Sequence, residues 1–574
     1  MKPYLSYLEL LASGTAPDKV KAIFAQCHEA HGDLLPVNQL AFSGQLESDC
    51  LQLAKNPLLR PFLIGQVGVL NEVEAFLSNR ADPNISIIKI TQDFCYGEID
   101  KLEQHGFCPV SVASFISDYI RFLLLRNIDD LHEVEGVIPL DERNNDFVID
   151  LFTTTKDVPG LLRFIFIVIS NLKSVFRCFL ADYESDIKLV KGAFNALEAS
   201  SLDHPKRLVF IENELHQSGK VHIIIEFMNL TKIVYKKRCN YFLQSLASSA
   251  ANSSNEFLTS LINEKTPSSL QIADRCWQMY IGYCPQRDPT VRNTYFFKLG
   301  ELQFLCELFN ASDIHEENVI CGSGGPVIVD TETFCQIDRT FHVNGGDPSA
   351  SDHARRLITN SLCSTGILPV YHKNPNNGRL LIYGVLKGLI DAGSSFDSGY
   401  IAFQCLPKNA RAVDSAKAKN DFVEGYMSQL RKASRSIKKV TVDAPAAAGS
   451  RYIIRPTQLY AMLIDRLLHP TIWRAGSAWR FQSLLLNDLD HGFRRKGDPT
   501  LSLTMAERVD IDRFDVPIFD YLSCDNKIHH YSGLESSNLG HVEFNTRMTD
   551  RIMALEKRKQ FFRDAVDVLF PVWS

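Results

Sequence analysis

Asp313-Ile-His315-Glu-Glu-Asn318-Val-Ile-Cys-Gly-Ser-Gly-Gly-Pro-Val-Ile-Val-Asp330-Thr-Glu332 is the stretch from which the fold can be read. A polar turn carries Asp313, His315 and Asn318, and a short apolar run follows. Glycines then reverse the chain, and a second apolar run from Pro326 to Val329 delivers Asp330. Short apolar runs separated by glycines predict two paired strands. Taken singly, these polar residues do no more than cap a turn and end a strand, so the rest of the chain decides their meaning.

The order and spacing suit phosphoryl transfer. Such a centre needs an Asp near the acceptor hydroxyl, an Asn five positions later on a metal ion, and an Asp at the end of a following strand on the metals that bridge the nucleotide phosphates. Asp313, Asn318 and Asp330 fall in that order. The apolar run Tyr295 to Phe309, rich in Phe and Leu, predicts a buried helix leading into Asp313, a pillar beneath the loop.

The whole chain has 574 residues, 45% hydrophobic and 22% charged, enough to bury large cores in about two to four domains. A net charge of -6 carries no polyelectrolyte signature, so nucleic acid is not the expected partner. Met1 to Leu11 lacks a basic segment, a sustained apolar core and a small-residue cleavage site, which predicts a cytoplasmic protein without an export signal. The apolar run Phe164 to Ile169 is too short to span a bilayer and suits a buried strand or core helix. Fourteen cysteines are scattered with no CxxC pair, so they read as buried thiols and no structural metal is expected.

From Tyr4 to about Asn195 the pattern is mostly helical, with apolar residues at three- and four-residue spacing in Val67 to Leu77 and Val112 to Leu125. Asp141 to Asp146 and Asp203-His-Pro205 read as breaks. Beyond Arg207, Val221 to Phe227 and Lys232 to Lys236 predict two strands joined by the turn Met228 to Thr231. That hairpin ends in Lys236, where a kinase keeps its phosphate-contacting lysine; on its own, an exposed edge-strand lysine is the blander reading. Asn213 to Lys220, with Glu214, His216 and one glycine, reads as a turn over a nucleotide, and no Walker A sequence occurs.

Ser245 to Asn255 reads as a flexible connection, and the helical pattern is expected to resume from Leu270. Asn374 to Gly378 is a turn signal, Asp421 to Arg431 a helix, Arg431 to Lys439 a solvated basic segment, and Ala444 to Gly449 a loop. Ser450-Arg451-Tyr-Ile-Ile-Arg455-Pro-Thr457-Gln-Leu-Tyr460 places two arginines before a Pro-Thr helix start. Guanidinium groups, a hydroxyl and helix N-terminal amides are thereby expected to converge on one anion. The boundaries expected are a helical N-terminal region over residues 1–200, a small lobe over 201–295 and a large lobe over 296–574.

Six ordered motifs make the chain similar to the N-terminal dehydratase portion of class II lanthipeptide synthetases. They are Glu214-Leu-His216 with Gly219-Lys220, Tyr235-Lys-Lys-Arg238, Asp313 to Asn318, Pro326 to Glu332, Thr365-Gly-Ile-Leu-Pro369 and Arg451 to Tyr460. Asp515-Val-Pro-Ile-Phe519 resembles a further family segment. The likeness runs from about residue 205 to 525. It implies an α+β fold, bilobal and like a lipid or protein kinase, that phosphorylates Ser and Thr of a precursor peptide from ATP and magnesium and then eliminates phosphate to leave dehydroalanine or dehydrobutyrine.

Carried over by position, Lys236, Glu214 and His216 would serve the nucleotide, Asp313 the acceptor hydroxyl with His315 supporting its loop, and Asn318 with Asp330 the magnesium. Arg451 and Thr457 would take the elimination roles. Three departures stand out: Glu214 for the family's Asp, Lys220 for Arg and Lys237 for Pro. The family's cyclase segment is not found before Ser574, so the expectation is either a separate cyclase that closes the rings or dehydroamino acids that serve another purpose. Two other readings stay open: a phosphotransferase acting on a protein, lipid or small molecule without elimination, and a peptide-binding pseudoenzyme. A complete nucleotide and metal set speaks against the last.

Overall fold

The computed structural model describes residues 7–19, 54–57, 59–78, 84–125, 140–141, 146–150, 159–195, 202, 204–211, 221–237, 256–284, 289–334, 362–373, 380–389, 405–407, 413–436, 449–455, 457–467, 503–522, 525, 527–536 and 548–571. Helices and small antiparallel sheets make it an α+β protein. The chain divides into two compact units: Met1–Lys237 with Ile453–Phe519 and Ile528–Ser537, and Arg238–Tyr452 with Asp520–Lys527 and Asn538–Ser574.

In the first unit the expected helices form as Leu59–Ser78 and Pro109–Leu125. Leu63, Leu70, Val73 and Leu77 bury one face at helical spacing. The polar tract expected as a break joins strands Leu140–Asp141 and Asp146–Asp150. Phe164 to Ile169 lies inside a 37-residue helix, Pro159–Asn195. By length and composition Gly160–Phe194 could cross a membrane, yet 72% of its most apolar window is buried inside the protein, the mark of a core helix.

That helix also holds charge in the interior. The Arg163 guanidinium donates to both Glu9 oxygens, at 2.8 and 3.2 Å, and through Nε to the Asp512 carbonyl at 2.8 Å. Paired in this way, the two buried charges are satisfied; either alone would cost several kcal/mol, about 3–5. Farther along, Asp182 accepts from the Tyr235 hydroxyl at 2.5 Å and from Lys237 Nζ at 2.8 Å.

The strands expected around Phe227 form as Ile223–Phe227 and Lys232–Lys236, antiparallel, with Pro205–Phe210 on the outer side of the first. Ile223, Ile225, Ile233 and Tyr235 are buried, as a period of two requires. In the turn, Leu230 takes φ +69°, Leu230 N donates to Phe227 O, and Asn229 Oδ1 accepts from Thr231 N at 3.0 Å.

In the second unit the helices Pro289–Leu308 and Ser415–Ser436 cross with their main chains nearly touching. A Cβ on Gly300 would stand 1.9 Å from the Phe422 carbonyl oxygen, and one on Gly425 1.9 Å from that of Phe297. Glycine is the one residue that permits this approach. Beside the crossing, Lys265 Nζ meets Glu301 at 2.7 Å, and Glu301 also accepts from Gln429. Helices Met548–Lys557 and Lys559–Leu569 complete the core, with Phe562 stacked on Tyr426 at 3.7 Å between ring centres.

One expectation fails here. The helical pattern does not resume at Leu270: Ser269–Ile272 and Arg275–Met279 form a hairpin, and the helix begins at Pro289. A two-residue turn, with Ala273 at φ +48°, pairs Ile272 with Arg275. Over so short a run, helical and strand spacing coincide, and the turn chemistry decides. Ser245 to Asn255 lies outside the described residues, while the turn signal at Asn374 to Gly378 falls between paired strands Val370–Lys373 and Leu380–Tyr383.

Candidate active site

The helix Pro289–Leu308 ends by a change of backbone hand: Asn310 takes φ +47° and Ala311 N donates to Cys306 O at 2.8 Å, closing the last turn. Asp313 follows at φ +61°, a conformation that costs a non-glycine residue about 1–3 kcal/mol and persists only where neighbours over-determine it. The neighbours are visible. Ser312 N donates to Thr333 O and Ser312 O accepts from the Thr333 hydroxyl. Ile314, fully buried, donates its N–H to Thr365 O at 2.8 Å, and the Asn318 amide donates to Asp313 O at 2.8 Å.

His315 belongs to the same turn. Its Nδ1 accepts from Glu317 N at 3.3 Å, which places the ring proton of the neutral imidazole on Nε2, and its carbonyl accepts from Asn318 N. The segment Thr365-Gly-Ile-Leu-Pro369 is the loop's other wall. Gly366, at φ +85°, lies so close that a Cβ there would be 2.7 Å from Ile314 O, and Thr365 Oγ1 is anchored on Gln303 at 3.1 Å.

The two strands expected after Asn318 form as Val319–Gly322 and Gly325–Ile328, paired Ile328 to Val319. One further main-chain bond, Val329 N to Asn318 O at 2.9 Å, sets Asp330 beside Asn318. Asp330 Oδ1 accepts from Glu332 N at 3.1 Å, so the carboxylate is oriented by its own turn. Glu332 then reaches Arg451 twice, through its carbonyl to Arg451 N at 3.0 Å and through its carboxylate to the guanidinium.

Asp313, His315, Asn318, Asp330 and Arg451 are thus brought into one hydrogen-bonded assembly within the second unit. Lys236 and Thr457 belong to the first. Lys236 ends its strand, 8% exposed, on the face opposite Tyr235, so it is not the exposed edge lysine of the blander reading. Thr457 opens the helix Thr457–Leu467 and is half-buried. Glu214, His216 and Lys220 lie outside the described residues.

Arg455 corrects the expectation of converging guanidinium groups. It is buried and spent on Glu507, Nε to Oε1 at 2.8 Å, and the same carboxylate accepts from the Tyr460 hydroxyl at 2.5 Å. A guanidinium neutralised inside the core anchors the helix that carries Thr457 and does not meet an anion. Sequence reasoning also passed over Glu332 as a partner of Arg451. A carboxylate two positions after Asp330 was its only sign.

A family model described as a domain of unknown function, DUF4135, matches residues 159–398 and 404–521. A lacticin 481/lactococcin biosynthesis protein of Lactococcus lactis subsp. lactis is 27% identical over 215 residues, 35% of this chain and 22% of that protein. The chain therefore aligns with less than a quarter of that relative's length.

Proposed function

We propose a function on the premise that the chain belongs to the DUF4135 family, a domain family of LanM-type lantibiotic synthetases. The chain is a lanthipeptide-synthetase-like protein, and its relationship to a lantibiotic biosynthesis protein points to an enzyme that modifies a precursor peptide. The finer reading is a cytoplasmic dehydratase with a kinase-like bilobal fold. It phosphorylates Ser and Thr from ATP and then eliminates the phosphate. The observation that carries it is the single assembly of Asp313, Asn318, Asp330 and Arg451.

The residues fit a magnesium nucleotide. Asn318 commits its NH2 to the Asp313 carbonyl, so its amide oxygen is the atom that would serve a cation. Asp330 adds an oriented carboxylate, and hard oxygen donors of this kind suit magnesium. Magnesium would supply neutralisation of the phosphate charge. Lys236 would hold nucleotide phosphates, and Glu214 and His216 would serve the same nucleotide. Asp313 would orient the acceptor hydroxyl and take its proton as the oxygen attacks the γ-phosphorus and the bond to the ADP oxygen breaks.

In the second half the α proton leaves, its electron pair forms the Cα–Cβ double bond, and phosphate departs with the Cβ–O pair. Arg451 would neutralise that phosphate and Thr457 would donate a hydrogen bond to it. A donor aimed at developing charge is typically worth about 3 kcal/mol in the barrier. One observation favours a second reading, phosphorylation without elimination: the Arg451 guanidinium is already engaged by Glu332.

Intact mass of Ser/Thr-rich peptides after incubation with the protein, ATP and magnesium tests the choice, run beside Arg451→Ala. Loss of one water per site with wild type and gain of a phosphate with the variant support dehydration through a phosphorylated intermediate. Gain of phosphate with both supports the second reading, and an unchanged mass with every peptide refutes both.

A further inference from the structure

We propose that a cavity behind the Asp313 loop is a regulatory site for a tetrahedral oxyanion, phosphate free or as a monoester, held by Arg551 and Arg558. The cavity has a volume of about 130 Å³, lies wholly within the second unit, and has Asn310, Ala311, Ser364 and Thr365 on its inner wall. A single water needs roughly 10–15 Å³ of such space, so a phosphate with a few waters fits.

Its chemistry selects an anion. Arg551, on the helix Met548–Lys557, and Arg558, the residue just past its end, line the cavity with Ala554 and Leu555 between them in sequence. Arg551 Nη2 donates to the Glu307 carbonyl at 3.0 Å, which anchors that guanidinium. Asn310 and Ser364 also line the cavity and add polar character to its wall.

Glu307 is the one carboxylate on the wall, and both its oxygens are occupied, by Gln303 Nε2 and the Tyr426 hydroxyl, each at 2.8 Å. Burial pushes its carboxyl above the ordinary glutamate value, while its hydrogen bonds to Gln303 and Tyr426 and the charges of Arg558 and Arg551 pull the other way.

The position makes occupancy consequential. Asn310 and Ala311 lead into the Asp313 turn, and Thr365 accepts the Ile314 N–H that holds Asp313 in its left-handed conformation. An anion bridging Arg558 to the inner wall braces the segments on which the loop rests. The regulatory half of this proposal rests on the phosphoryl-transfer reading above; the binding half does not.

The test titrates inorganic phosphate into the full chain without nucleotide, reading the thermal midpoint for wild type, Arg558→Gln, Arg558→Lys and Arg451→Ala. Expected is a saturable rise in wild type and in Arg451→Ala, a half-saturating concentration at least tenfold higher in Arg558→Gln, and an intermediate value in Arg558→Lys, which keeps charge without the bidentate fork. A phosphoserine peptide that displaces phosphate assigns the ester as a ligand, and one that does not assigns the free anion. An unchanged midpoint concentration in Arg558→Gln, or no rise in wild type, overturns the site. Loss of the rise in Arg451→Ala alone also overturns it, by placing phosphate at the transfer site and leaving the proposed function standing. Should Arg558→Gln not fold, Arg558→Lys alone decides. Binding with peptide mass unchanged under every condition would instead sink the phosphoryl-transfer reading and spare the site.

Discussion

The close helix crossing under the Asp313 loop makes a prediction whose size follows from distances. Gly300→Ala places a Cβ 1.9 Å from Phe422 O, against the 3.0 Å that real contacts respect, so the Pro289–Leu308 and Ser415–Ser436 helices must part by at least about 1 Å. A gap of that size forfeits about a quarter to a half of the dispersion well at each facing contact. Overpacking a filled core costs about 1–3 kcal/mol, and main chain on the facing wall cannot rotate away, so the cost sits at the top of that range. Alanine returns about 1 kcal/mol of helix propensity. The net loss is about 2 kcal/mol, a fall of about 4–8 °C in Tm for a unit of this size. Gly425→Ala should cost as much, since its Cβ meets Phe297 O at the same 1.9 Å. Once one substitution has parted the helices, the second finds room, so the double variant should lose about 1 kcal/mol less than the sum. Calorimetric and urea unfolding of the four proteins measure this. A Gly300→Ala protein as stable as wild type, or strict additivity, would refute the main-chain contact.

Three further outcomes follow from the buried charges. Glu507→Ala strands the buried Arg455 and should cost about 3–5 kcal/mol in thermal unfolding, whereas Glu507→Gln, which keeps an acceptor for Arg455 and Tyr460, should cost less. Glu307 has its carboxyl raised by burial, so the folded protein keeps a proton that the unfolded chain releases. Its contribution to stability is complete below the ordinary glutamate value of 4.5 and is lost as pH rises through the elevated one. Glu307→Gln should therefore be the more stable protein at neutral pH, with the difference vanishing below that ordinary value; a constant difference across a pH series of melts counts against it. Glu332→Gln removes the charge that holds the Arg451 guanidinium, a pair 10% and 18% exposed and worth about 1 kcal/mol. The ratio of dehydrated to phosphorylated peptide should rise about fivefold, and an unchanged or lower ratio would mean that Glu332 does not compete with phosphate for Arg451.

Much of this was legible where local chemistry alone shapes the chain. Asn318 through Asp330 announced two strands because three glycines in four positions leave little other use for the apolar runs on either side, and both strands form. The helix before Asp313 was equally plain from its Phe and Leu content. Leu270 to Met279 misled because ten residues hold too few turns of either period to separate them. Gly300 and Gly425 were silent for a different reason. A glycine within a helical pattern looks like a small defect, and its purpose appears only when the partner main chain lies against it. Glu332 and Glu507 were invisible in the same way, since an ion pair across 119 or 52 residues has no local signature.

The motif Arg451 to Tyr460 shows what such long-range pairing does to a contiguous stretch. The division between the two units falls between Tyr452 and Ile453, so residues four positions apart are anchored in different cores. Arg451 is set by strand-like bonding to Glu332 and thereby to Asp330; Arg455 and Tyr460 are set by Glu507, which fixes the helix that begins at Thr457. Spacing along the chain therefore does not govern where the Arg451 guanidinium points, and the Glu332 pair does. It follows that the two ends of the motif should be separable by mutation. Substitutions at Glu507 should act through the stability of the first unit and the seating of Thr457, while substitutions at Glu332 should leave melting nearly unchanged and act through Arg451. A Glu332 variant that instead melted like a Glu507 variant would make both pairs structural, and would leave Arg451 with no assignment beyond holding its strand.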